Sequence, residues 1–242
     1  MKFENTEVWG FEHAIRGMRN PMNSWDKSDS CYLTINEIAG HPCNDGLQKE
    51  FVIGENDLKL MQKLIRAGSE HRKFLRQIFV SVDITAPLYW WKEFDTYKIG
   101  TVANSTSTMH KLANTPITLE CFEIDDYDNN LVIEQYTDWE CPLEFKTDNL
   151  ARIIINKLEA LRQKYLETKD KRYWKELIRF LPESWLQKRT ITMNYENLLM
   201  MYRQRKGHKL NEWSGVDNPE LPNFISWIKT LPYAEELILI DN

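Results

Sequence analysis

The 242-residue sequence contains no apolar run approaching the roughly 18 residues that a membrane-spanning helix needs. Its start, Met1-Lys2-Phe3-Glu4-Asn5, lacks the basic-then-apolar layout of an export signal, so a cytoplasmic protein is expected. It also lacks any CxxC pair. Cys31, Cys43, Cys121 and Cys141 stand far apart and read as reduced thiols. Cys31, His41 and Cys43 make half of a metal site at most. No second ligand pair follows at zinc spacing, so they read as residues of a turn with Gly40, Pro42 and Asn44, and no metal is expected. A basic excess is missing too: 31 Lys and Arg stand against 36 Asp and Glu, a formal charge of −5. That excludes histone-like and basic-arm nucleic-acid binders, though not a local basic patch. The nine glycines and nine prolines are scattered, leaving no flexible linker, repeat or low-complexity stretch. A single domain over residues 1–242 is therefore expected. Finally, there is no G-x-S-x-G, P-loop, G-x-G-x-x-G or H-E-x-x-H, and the five histidines share no metal-ligand spacing.

What remains is an ordinary globular composition, 42% hydrophobic and 28% charged. Leu58, Met61, Leu64 and Ile65 recur at helical spacing between Asp57 and Ala67, with Asn56 as a cap and Gly68 as a stop. Ser69 opens a second short helix through Arg76. Residues Gln77 to Ile84 alternate, with Ile78, Val80, Val82 and Ile84 on one face, which is the period of a strand. Pro87 then starts an aromatic helix. The hydroxyl-rich segment Thr101 to Thr108 reads as a loop. Thr118 to Ile124 and Leu131 to Tyr136 read as a hairpin, inserted at about 115–136, joined by an acidic turn from Asp125 to Asn130. Counted from Asp126, that turn has Leu131 and Thr137 where a calcium loop needs Gly and an acid, so calcium is not expected. Thr147 opens a long helix with a stripe of Leu150, Ile154, Leu158, Leu161 and Tyr165. Further helices are expected over Arg172 to Phe180, Met193 to Arg205 and Phe224 to Leu231. Helix outweighs strand and the two alternate irregularly, so the fold class is α+β, helices packed on a mostly antiparallel sheet.

Two clusters carry chemical interest. The stretch Arg203-Gln204-Arg205-Lys206-Gly207-His208-Lys209 is the most basic; it reads either as compensation of a helix C-terminus or as an anion site for phosphate. Tyr89, Trp90, Trp91, Phe94 and Tyr97 read either as core or as a stacking surface for a ring.

These residues, with their neighbours, resemble the flavin-dependent thymidylate synthase family. The likeness covers two blocks, Glu55 to His110 and Leu177 to Trp213. Glu55-Asn56-Asp57-Leu58 through Gly68, with His71 just beyond, resembles that family's acidic-start helix followed by Gly-His. Ile84-Thr85-Ala86-Pro87 matches its strand ending in Ala-Pro. Where the family carries Arg-His-Arg-x-x-Ser, this sequence has Thr96-Tyr97-Lys98-Ile99-Gly100-Thr101. Asn104 to His110 follows where the family has Asn-x-x-Ser-x-Arg-Tyr. In the second block Ile178-Arg179-Phe180-Leu181-Pro182 resembles Arg-x-x-Leu-Pro, Asn194-Tyr195-Glu196-Asn197-Leu198 through Arg205 lies over Asn-x-Arg-x-Leu, and His208-Lys209-Leu210-Asn211-Glu212 resembles His-Ala-Gln-x-Glu.

The resemblance implies a homotetramer that binds FAD and a pyrimidine deoxynucleotide monophosphate, with NADPH and methylenetetrahydrofolate as co-substrates. It assigns Thr96, Tyr97, Lys98, Thr101, Asn104, Asn194 and His208 to the cofactor, and Glu93, Ser107, Arg179 and Arg205 to the nucleotide. Glu196 falls where the family has the arginine that polarises the uracil ring. Several signature arginines are replaced, and Met109 stands in place of one. Each lost charge-assisted phosphate contact costs about 1.5–3 kcal/mol. A carboxylate at 196 reverses the charge beside the ring, although it can accept a hydrogen bond from a ring N–H or an exocyclic amine. The implied function is reductive methylation, or a related C5 modification, of a pyrimidine deoxynucleotide monophosphate. The alternative is a catalytically inactive homologue acting as a nucleotide- or protein-binding module, and a nucleic-acid partner is disfavoured by the charge.

Overall fold

The computed structural model describes residues 1–34, 49–128, 130–135 and 143–240. In chain order the elements are β1 (Lys2–Trp9), α1 (Phe11–Arg19), β2 (Cys31–Thr34), β3 (Lys49–Val52), α2 (Glu55–Arg66), β4 (Phe79–Pro87), α3 (Leu88–Phe94), β5 (Val102–Ser105) and α4 (Thr108–Lys111). They continue with β6 (Val132–Gln135), β7 (Leu143–Lys146), α5 (Thr147–Thr168), α6 (Lys171–Arg179), β8 (Leu186–Asn194), α7 (Tyr195–Arg205), α8 (Asn211–Ser214), α9 (Phe224–Ile228) and α10 (Ala234–Leu237). The fold is α+β with a mostly antiparallel sheet, as expected. A four-stranded sheet runs in the order β1-β4-β8-β5, and β2–β3 and β6–β7 form separate two-stranded ribbons. Among the described residues no helix is long and apolar enough to cross a membrane. No group of three His, Cys, Asp or Glu among them is placed to hold a metal ion.

The alternation in β4 does what its period dictates. Val80, Val82, Ile84 and Ala86 are wholly buried, while the residues between them are half-buried. Pro87 then ends the strand as the N-cap of α3, whose Trp90, Trp91 and Phe94 are buried. Of the two readings of that aromatic group, core is what the structure shows for these three.

The chain divides into two compact units, interleaved in sequence. One comprises Met1–Lys2, Ile84–Thr96 and Asn104–Arg189. Its core gathers Leu112, Ile117, Phe122, Ile155, Leu158 and Leu177. Here α5 is rotated relative to the expected stripe: Ile155, Leu158 and Arg162 are buried, whereas Leu150 and Ile154 are 39% and 36% exposed. A purely apolar stripe misses this face because it contains a charge. Arg162 is held by Glu159 through Nε and Nη2, both at 2.7 Å, and by the Ala113 carbonyl at 3.0 Å. Thr147 is the first helical residue rather than the cap, which is Lys146. The expected strand Thr118–Ile124 is instead a 3-10 turn at Leu119–Cys121 followed by a single bridge between Phe122 and Trp185. The ribbon that forms pairs β6 with β7, setting Val132 opposite Lys146.

The other unit comprises Phe3–Asp83, Tyr97–Ala103 and Thr190 onward. Helix α1 packs on the 3-10 turn Lys73–Gln77, which also meets α7, and α2 contacts α1 and α10. The second short helix expected from Ser69 is thus a 3-10 turn beginning at Lys73. A buried ion pair ties α1 to α2: Arg19 Nε donates to Asp57 Oδ1 at 2.6 Å. The hydroxyls of Ser28 and Ser30 each donate to Asp57 Oδ2 at 2.6 Å. Burial works against the charge of Asp57, yet these hydroxyls and the guanidinium prevail and hold the carboxyl below its usual range.

Of the eight strands among the described residues the sequence pattern announces only β4 and β6; β5 and β8 illustrate why the others escape it. Residues 102–105, expected as loop, form β5, an edge strand with all four residues exposed. Backbone pairing alone makes such a strand, so no apolar alternation announces it. The segment ahead of α7 is β8, and the helix starts at Tyr195 rather than Met193. His41, Cys43, Cys141 and Thr137 lie outside the described residues.

Candidate functional site

Helix α7 organises the site in the Thr190-onward unit. It opens with a capping box: Asn197 N–H donates to Asn194 Oδ1 at 3.0 Å, and Asn194 N–H donates to Asn197 Oδ1 at 3.2 Å. The Asn197 carboxamide also donates to the Ile99 carbonyl at 2.7 Å, so the cap clasps the Tyr97–Thr101 turn. Gly100 makes that approach possible. Its φ is +77°, and a Cβ there would sit 3.0 Å from both Asn194 Nδ2 and Asn197 Oδ1. Thr101 closes the turn by donating its hydroxyl to the Tyr97 carbonyl.

Tyr97 reaches the opposite end of the helix. Its hydroxyl donates to Gln204 Oε1 and accepts from Arg205 Nε, each at 2.8 Å. The Arg205 guanidinium lies 4.7 Å from the ring centroid of Trp213 and 5.5 Å from that of Tyr97. His208 meets the edge of Trp213 at 6.3 Å between centroids and accepts the Leu210 N–H on Nδ1 at 3.1 Å. Arg205 is thereby fixed between an aromatic face and a phenol, an arrangement a lysine could not copy.

Glu196, in the first turn of α7, is paired. Arg72 Nε lies 3.1 and 3.0 Å from its two oxygens, and Arg72 Nη2 lies 3.5 Å from the Met200 sulfur. Arg72 is only 7% exposed. A guanidinium supplied from a different segment therefore stands against this carboxylate and neutralises it. Sequence reasoning singled out His71 and passed over Arg72. The available signal was only that a lone acid at a helix start near the core needs a partner.

Of the residues expected at the site, this unit brings together Tyr97, Thr101, Asn194, Arg205 and His208 around α7, with Lys98 exposed on the same turn. Asn194 is nearly buried, its side chain serving the cap. The other unit holds the rest, where Thr96, Ser107 and Arg179 are engaged locally. Thr96 donates its hydroxyl to the Glu93 carbonyl at 2.7 Å. Ser107 accepts the His110 N–H at 3.2 Å as the cap of α4. Arg179 pairs with Glu176 on α6, and Asn104 is exposed on β5.

No protein-family model matches the chain, and no curated protein matches its sequence. Solved structures do match it by shape over nearly its whole length. The flavin-dependent thymidylate synthase ThyX of Helicobacter pylori, complexed with FAD and dUMP, superposes with a TM-score of 0.61 at 16% identity, covering 98% of each chain. A second structure of that enzyme with the same ligands gives 0.60 at 14% identity, covering 98% of this chain and 97% of the other. The UMP/dUMP methylase PolB of Streptomyces cacaoi, bound with 5-Br dUMP, gives 0.52 at 15% identity, covering 98% and 94%. The chain has the flavin-dependent thymidylate synthase fold.

Proposed function

We propose that this protein is a flavin-dependent enzyme of the thymidylate synthase type, acting on a pyrimidine deoxynucleotide monophosphate by reductive methylation or a related C5 modification. The observation that carries this reading is the clasp between the Tyr97–Thr101 turn and α7. It joins the two sequence segments whose resemblance points to cofactor and nucleotide contacts. The full-length likeness to folds solved with FAD and dUMP adds to it.

On this reading Thr96, Tyr97, Lys98, Thr101, Asn104, Asn194 and His208 serve FAD. The local chemistry fits in part. The exposed Lys98 ammonium suits a phosphate-bearing group, whereas the Asn194 carboxamide is already used in the cap. When bound, the flavin supplies hydride transfer; the protein supplies binding, orientation and charge. Glu93, Ser107, Arg179 and Arg205 serve the nucleotide. Glu196, held by Arg72, offers carboxylate oxygens to a ring N–H or exocyclic amine. NADPH and methylenetetrahydrofolate complete the reaction as reductant and carbon donor. The same proposal includes assembly as a homotetramer in the cytoplasm, and a single functional domain over residues 1–242.

The Arg72–Glu196 pair favours a second reading. A neutralised ion pair in place of a lone arginine stabilises an enolate poorly, as in an inactive homologue that binds a nucleotide or a protein. The visible spectrum separates the two. Flavin bands retained after incubation with FAD and desalting, lost in Lys98→Ala, and bleached and reoxidised in a dUMP-dependent manner, support the enzyme. A protein that never holds FAD leaves the binding module.

A further inference from the structure

In the unit that contains α1, a cleft of about 760 Å³ opens between the start of α1, the β2–β3 ribbon and the Pro232-Tyr233 turn. Its walls include Trp9, Tyr32, Phe51 and Tyr233, with carboxylates from Glu12 and Glu50. The walls are built to hold position. Tyr32 and Phe51 are cross-strand partners whose rings meet edge to face at 5.2 Å. The Tyr32 hydroxyl donates to Glu12 Oε2 at 2.8 Å, tying the ribbon to the helix. Tyr233 is anchored by the Ile53 N–H, which donates to its hydroxyl at 3.0 Å. Trp9, stacked on Phe79 at 5.8 Å, and Tyr32 nevertheless remain 43% and 52% exposed.

Among the described residues no Lys or Arg lines this cleft, and its one imidazole, His13, is engaged through Nε2 with the Gln77 carbonyl at 3.1 Å. Arg16 and Arg19 border the smaller adjoining recess, and Arg19 is committed to Asp57. Two carboxylates and several aromatic faces act in the same direction. Both attract a positive charge, and both repel a phosphate. The volume is that of a site for a small molecule rather than for a lone ion. We propose that this cleft binds an organic cation through an alkylammonium head seated against the rings and balanced by Glu12 and Glu50. The cleft shares no residue with those assigned to the nucleotide and has the opposite electrostatic preference.

Choline and its uncharged isostere 3,3-dimethylbutan-1-ol test this on the full chain, followed by the Trp9 indole N–H signal in NMR titrations. Choline is expected to bind saturably, with the isostere weaker by roughly tenfold. The double substitution Glu12→Gln, Glu50→Gln should reduce that preference, leaving only the share due to the rings, while preserving shape and the hydrogen bond from Tyr32. Trp9→Leu, which keeps apolar volume but removes the ring face and is therefore followed through the Tyr32 and Phe51 ring protons, should weaken choline and spare the isostere. Equal binding of the two probes, choline binding unchanged in the carboxamide variant, or no saturable response from choline in a protein with native dispersion would overturn the proposal. The result is independent of whether FAD or dUMP binds.

Discussion

Two buried arginine–carboxylate pairs in the same unit differ in how completely they are satisfied. Asp57 accepts on both oxygens from Arg19, Ser28 and Ser30, and the Arg19 guanidinium also donates to the Ser24 and Lys27 carbonyls, each at 3.0 Å. Glu196 accepts from a single nitrogen of Arg72, whose other contact is a thioether. The first pair uses its donors and acceptors to fasten α1, the 24–30 turn and α2 together. The second keeps guanidinium and carboxylate capacity unspent, 13% of the Glu196 side chain remaining accessible. Saturated pairs hold folds; under-satisfied pairs near a surface are able to take a ligand.

The largest expected effect follows directly. Asp57→Ala should strip the buried Arg19 of its counter-charge and cost about 3–5 kcal/mol in urea unfolding. A loss much smaller than this would break the contrast. Glu196→Gln, read in the same assay, should cost less, roughly 1–3 kcal/mol, because the Arg72 guanidinium has fewer bonds to lose. Glu196→Arg alone should destabilise by placing two guanidinium groups together, and Arg72→Glu in that background should recover most of the loss. A non-additive recovery is the measurement that shows the pair acts as a unit.

Acid titration sharpens the comparison with a third pair, Arg162–Glu159 in the other unit. Hydrogen bonds from Arg162 lead, against burial and with help from the Ile117 N–H, in moving Glu159 from its ordinary 4.5 down to about 2. A carboxyl depressed in the folded state contributes stability in full above its unfolded value and loses it as pH falls through the folded one. The stability that Glu159 adds is therefore present above pH 4.5 and lost toward pH 2. Glu159→Gln should flatten the stability–pH slope in that window. An unchanged slope would mean that Arg162 draws its support elsewhere.

How much of this was legible beforehand depended on whether the chemistry was local. The β4 alternation, the helix after Pro87 and α7 were readable because apolar period and cap residues lie within one segment. The Asn194-x-x-Asn197 box even marks the true start of α7, two residues past Met193. Strand β5 was not readable, since an exposed edge strand needs no apolar face. The face of α5 was misread because Arg162 belongs to it. The site was half legible: resemblance pointed to Tyr97, Asn194, Arg205 and Glu196, but the Arg72 partner lies 124 positions from Glu196, and no short-range pattern encodes it.

The smallest effect separates a support from a ligand contact. Tyr97→Phe removes one hydroxyl that links Gln204 to Arg205, and should cost about 0.5–1.5 kcal/mol in stability. The aromatic face remains, so Arg205 keeps Trp213 beneath it but loses its in-plane anchor. If Tyr97 acts by positioning Arg205, dUMP affinity should fall in Tyr97→Phe while flavin retention is kept, and Arg205→Lys should fall further because an ammonium does not stack as a guanidinium does. If Tyr97 itself touches the flavin, retention of FAD should drop and dUMP affinity in the remaining holoprotein should stay level. Measuring both affinities in the two variants decides which of these roles the phenol has.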